Sequence, residues 1–106
     1  MLHIFFCFLG GALIANGLPH FVNGMSGRAF PTPFARLRGQ NESSAVLNVL
    51  WGSCSFAAGY AVLIRPDAFD IHATADVIAA GSGALLLALF LAWRFGPLYG
   101  GAQPKK

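Results

Sequence analysis

The sequence predicts an all-α integral membrane protein: three transmembrane helices in a small bundle, with a long interfacial loop between helices 1 and 2. Three observations lead there. The 106 residues are 56% hydrophobic and 10% charged, with a mean hydropathy of +0.60, whereas soluble domains carry roughly a quarter charged residues. Three runs, Leu2 to Leu18, Ala45 to Ile64 and Val77 to Trp93, contain no formally charged side chain. The basic residues between and after these runs collect on one side of a three-span chain.

The first run reaches most of the way across a hydrocarbon core of about 30 Å. No Lys or Arg precedes it, and Ala12-Leu13-Ile14-Ala15 lacks the small-x-small spacing of a cleavage site, so it is expected to be a retained helix. The second run begins at Ser44 or Ala45 and is stopped by Arg65-Pro66, because proline disfavours helical geometry in the residue before it. The third is closed by Arg94, Phe95, Gly96 and Pro97, with Asp70, Thr74 or Asp76 available to cap or charge its first turn. The chain is then a single membrane domain, 1–106. Its spans are about 2–18, 44–64 and 76–95; its other segments are an interfacial loop 19–43, a short outer loop 65–75 and a cytoplasmic tail 96–106.

Lys and Arg in short flanks are retained in the cytoplasm. Arg28, Arg36 and Arg38 lie in the first loop and Arg94, Lys105 and Lys106 at the C-terminus, against Arg65 alone on the other side. This places the N-terminus outside and the C-terminus inside, in a membrane expected to be the bacterial cytoplasmic one.

Helices in lipid associate through close backbone approach, so small residues at four-residue spacing mark packing faces. The second run offers Asn48, Gly52, Ser55 and Gly59, and the third Asp76, Ala80, Ala84, Ala88 and Ala92. The first has His3, Cys7, Gly11 and Ala15. Gly52, Ser55, Gly59, Ala80, Ala84 and Ala88 are the expected helix-packing residues. Trp51 lies too deep for an interfacial belt, and its indole donor is expected to meet Asn48 or Asn16.

The segment Pro19 to Ser43 mixes Phe21, Val22, Met25, Phe30, Phe34 and Leu37 with Arg28, Arg36 and Arg38. The first group is costly in water and the second in lipid, so the segment should lie at the interface or fold back under the bundle. Asn16, His20, Asn23, Arg28 and Asn48 gather near this inner side and form the candidate functional polar cluster. His3, Asp70, His72 and Asp76 gather at the outer side and include metal-ligand types, but no spacing among them is diagnostic, so no metal is expected. Cys7 and Cys54 fall at different depths and form neither a disulfide framework nor a CxxC pair.

No catalytic motif is visible, and the expectation is a protein that is not an enzyme and needs no cofactor. Pumps and coupled transporters place an ionisable group inside the membrane, and the middle turns here offer only Ser53, Cys54, Ser55 and Ser82. The expected function is therefore an accessory or structural interaction component of the membrane. Its partners would be the lipid bilayer and a membrane protein or further copies of itself, with no nucleic acid. The alternative is a homo-oligomeric channel or small-solute permease lined by Asn16, His20, Asn48 and Ser55.

Overall fold

The computed structural model describes residues 2–65 and 68–101, with only the backbone of Arg36. The described chain is helical: α1 (Leu2–Met25), α2 (Pro33–Leu37), α3 (Ala45–Leu63) and α4 (Thr74–Tyr99). Among the described residues there is no strand, only an isolated antiparallel bridge between Phe30 and Ser43. Helices α1, α3 and α4 are each long and apolar enough to cross a membrane. At 1.5 Å per residue they measure about 36, 28 and 39 Å, against a hydrocarbon core of about 30 Å.

Two helices run past their expected ends, each through a proline. α1 continues through Pro19 to Met25, although proline removes one amide donor and crowds the carbonyl four residues back, which costs about 3 kcal/mol in an isolated helix. Packing offsets that cost, since His20 and Gly24 beyond the proline are both buried. α1 ends instead at Met25, and Gly27 just beyond it turns the chain with a φ of 80° that suits glycine. There the Gly27 amide donates to Gly24 O at 3.0 Å and the Arg28 amide to Asn23 O at 2.8 Å, the paired bonds of a Schellman motif. α4 likewise passes through Pro97 and stops at Gly100, at φ 80°, with the Gly101 amide donating to Gly96 O at 2.9 Å.

α3 starts where the sequence predicts, with Ser44 Oγ accepting from the Leu47 amide at 3.2 Å. α4 starts at Ala73 without a side-chain cap, and Asp76 supplies a negative charge to its first turn. Ala102 to Lys106, in the expected tail, and Pro66 and Asp67, in the expected outer loop, lie outside the described residues.

The architecture is built on α1. Both α3 and α4 pack against it, and they do not pack against one another. Glycines set the approach on both sides. A Cβ on Gly17 would meet the Gly52 carbonyl at 2.8 Å, and one on Gly24 the Ala45 carbonyl at 2.6 Å, so α1 and α3 touch backbone to backbone. On the other side Gly11 lies against the Ala80 backbone and Gly83 against the Phe8 backbone.

The buried stripe of α4 runs Asp76, Ala79, Gly83, flanked by half-buried Ala80, Ala84 and Leu87, while Ala88 and Ala92 are exposed. The departure from the predicted row follows from helix geometry. Each four-residue step overshoots a full turn by about 40°, so a strict i+4 row has rotated away from its partner helix after a few turns.

Candidate functional site

The polar cluster sits where α1, α3 and the connecting segment meet. Asn48 is in the first turn of α3 and fully buried. Its Nδ2 faces three carbonyls, Phe30 O at 2.9 Å, Ser43 O at 3.1 Å and Ser44 O at 3.0 Å, which share its two protons. That surround requires the amide nitrogen on this side, so Oδ1 faces His20 Nδ1 at 2.9 Å. An amide oxygen only accepts, which makes Nδ1 the protonated ring nitrogen in neutral His20 and Nε2 the acceptor. His20 is 3% exposed.

The segment between α1 and α3 is tied around this pair. Phe30 and Ser43 exchange backbone hydrogen bonds at 3.2 and 3.0 Å, and Thr32 Oγ1 and Ser43 Oγ share another at 2.5 Å. Thr32 Oγ1 also accepts from the Ala35 amide at 3.3 Å at the start of α2. The Phe30 ring is buried against three aromatic neighbours: the edge of His20 at 5.3 Å, Phe95 at 5.0 Å, and Tyr99 stacked at 5.5 Å. Tyr99 Oη in turn donates to Glu42 Oε2 at 2.5 Å. This segment packs against the ends of α1, α3 and α4 through these contacts.

Asn16, one turn before His20 on α1, donates through Nδ2 to Ser55 Oγ at 3.3 Å, and Ser55 donates to the Leu13 carbonyl at 2.6 Å. Asn16 and His20 also line a cavity of about 950 Å³, walled by Trp51 of α3 and Arg94, Phe95 and Tyr99 of α4. Asn23 and Arg28 do not join the His20–Asn48 pair. They line a second cavity of about 810 Å³ with Phe30 and the last turns of α4. The five predicted residues thus divide: His20 and Asn48 bond directly, Asn16 shares their cavity, and Asn23 and Arg28 open on another.

Trp51 corrects one expectation. The Asn48 oxygen accepts from His20, and among the described residues the Trp51 indole makes no hydrogen bond to Asn48 or Asn16. Trp51 is half-buried at the wall of the first cavity, its ring edge-on to Phe34 at 5.1 Å. An indole at an open cavity wall has no dry core around it to demand a side-chain acceptor.

The outer residues also divide. His3 Nε2 meets Asp76 Oδ1 at 2.6 Å, and Asp76 Oδ2 accepts the Asp70 amide at 2.9 Å. Asp70 Oδ1 accepts the His72 amide at 2.9 Å, a local turn. Cys7, absent from the predicted set, lies beside His3 and Asp76.

Phe30, Glu42, Ser43 and Tyr99 were not predicted as members of the inner site. Their signal was present only in pairs, polar or aromatic residues that a water-exposed loop does not require. Comparison with protein-family models, with curated proteins and with solved structures finds no match to this chain.

Proposed function

We propose that the protein is a multi-pass component of the bacterial cytoplasmic membrane with an accessory or structural role. In this reading its N-terminus is outside, the α1–α3 segment and C-terminus are inside, and it works by holding a membrane-protein partner or further copies of itself. The observation that carries the proposal is the internal satisfaction of the polar side chains. His20, Asn48, Asn16 and Ser55 each find hydrogen-bond partners within the chain, as glue between helices does. A solute path needs polar groups that face the solute instead.

The permease reading drew its lining from Asn16, His20, Asn48 and Ser55. Asn48 is fully buried and Ser55 is 6% exposed, which leaves that reading two residues at one end and no acidic or basic group in the middle turns to relay an ion.

The test uses the purified full-length chain. Tagged protein extracted in mild detergent is expected to bring down a membrane-protein partner, or itself as a defined oligomer, at fixed stoichiometry. Reconstituted in liposomes, it is expected to give no saturable flux of ions or small solutes. A saturable flux abolished by His20→Ala would overturn the accessory role.

A further inference from the structure

We propose that His3, Cys7 and Asp76 form a binding site for a single divalent transition-metal ion of the zinc class, at the end of the bundle opposite the His20–Asn48 pair. His3 and Cys7 are four residues apart on α1, one above the other on the same face. Asp76 comes from the first turn of α4. The three donor atoms, one imidazole nitrogen, one sulfur and one carboxylate oxygen, lie within 4.8 Å of one another. In a tetrahedral zinc site, bond lengths of about 2.0 to 2.3 Å put neighbouring donors roughly 3.3 to 3.8 Å apart. Small side-chain rotations close that difference, opening the 2.6 Å His3–Asp76 contact and drawing Cys7 in.

The surroundings prepare these atoms as ligands. Asp76 Oδ2 is held by the Asp70 amide at 2.9 Å, which leaves Oδ1 directed at the site as a single donor. Such outer hydrogen bonds to a ligating carboxylate are the usual support of metal sites. Cys7 is wholly buried and its thiol donates to the Ala68 carbonyl at 2.7 Å; metal binding replaces that bond as the sulfur turns from the carbonyl towards His3 and Asp76. The site is still reachable, because the His3 side chain is 44% exposed. Thiolate and imidazole together select zinc-class ions over magnesium or calcium, which prefer oxygen donors throughout. Three protein ligands leave a fourth position for water or an exogenous ligand. On binding, the Cys7 thiol proton leaves to solvent and the thiolate bonds the metal.

Full-length protein in detergent, stripped with a chelator and titrated with Co²⁺, tests the site. One equivalent is expected to produce a thiolate-to-cobalt charge-transfer band that Zn²⁺ abolishes. Cys54→Ser should leave the band unchanged, since Cys54 is exposed and distant from the cluster, whereas Cys7→Ser should remove it. Cys7→Ser and Asp76→Asn alter buried positions, so His3→Ala, at an exposed side chain, is the decisive variant. It also removes the Asp76 Oδ1 partner, so its metal-free melting point should fall modestly while the fold is kept, and it should lose at least ~10-fold in Co²⁺ affinity. Wild-type affinity in His3→Ala, a band that follows Cys54, or no saturable Co²⁺ binding would each overturn the proposal.

Discussion

Asn48 is the residue on which the inner end depends. Its amide joins a helix, a preceding segment and an imidazole through four hydrogen bonds. Asn48→Ala leaves the buried His20 Nδ1 donor unpaired and strips the Phe30 and Ser43 carbonyls to their single backbone bonds, and a buried group left unpaired costs about 1 to 3 kcal/mol. The expected loss is about 2 kcal/mol or more, read from melting in detergent. Asn48→Asp should be worse, because a carboxylate would face three carbonyl oxygens. Asn23→Ala is the contrast, since Asn23 bonds only the Pro19 carbonyl one turn back in its own helix, and it should cost less than about 1 kcal/mol. Equal losses at the two positions would contradict this ranking. That Asn16, His20 and Asn48 would bond within the chain was legible, because a polar side chain in an apolar run must find a partner. The carbonyl partners of Asn48 were not legible, because all three belong to the backbone and leave no mark on the residue type at Phe30, Ser43 or Ser44.

Among the helices, the glycines of α1 and α4 separate two kinds of position that look alike in sequence. A Cβ on Gly83 would run into the Phe8 backbone, whereas one on Gly81 meets nothing within 4 Å. A backbone cannot rotate aside as a side chain can. Gly83→Ala is therefore expected to push α4 off α1 and cost about 1 to 3 kcal/mol. Gly81→Ala is expected to raise stability by roughly 0.5 to 1 kcal/mol, through helix propensity alone. The pair is compared in one thermal melt, and destabilisation by both would remove the distinction. The extents of α3 were readable because Ser44 and the Arg65-Pro66 pair bracket an uninterrupted apolar run. Those of α1 and α4 were not, since Pro19 and Pro97 are local signals and the contacts that override Pro19 come from α3, remote in sequence.

For the molecule as a whole, α1 is the shared surface, with α3 on one side and α4 on the other. The fold class follows from composition because apolar length is a property of each run by itself. The tied segment between α1 and α3 does not follow, because it rests on pairs such as Phe30 with Ser43 and Glu42 with Tyr99. The proposed orientation makes its own prediction. Reporter fusions should find Gln40 and the C-terminus in the cytoplasm and Ala68 outside, and a periplasmic signal at Gln40 would reverse the arrangement.

The stacking of Tyr99 on Phe30 has a consequence for how the chain is made. Synthesis delivers Phe30 long before Phe95 and Tyr99, the two α4 rings that cover it. The α1–α3 hairpin can form its His20–Asn48 bond as soon as α3 has emerged, but its inner end stays uncovered until the last turns of α4 leave the ribosome. A chain truncated after Arg94 is thus expected to insert and keep the hairpin yet to be cut at the exposed Arg38 far faster than the full chain in limited proteolysis. Equal cleavage rates would mean that the segment closes without its C-terminal cover. The last turns of α4 are on this account what closes the fold, and a chain that ends before them leaves the Phe30 ring without the two aromatic side chains that cover it.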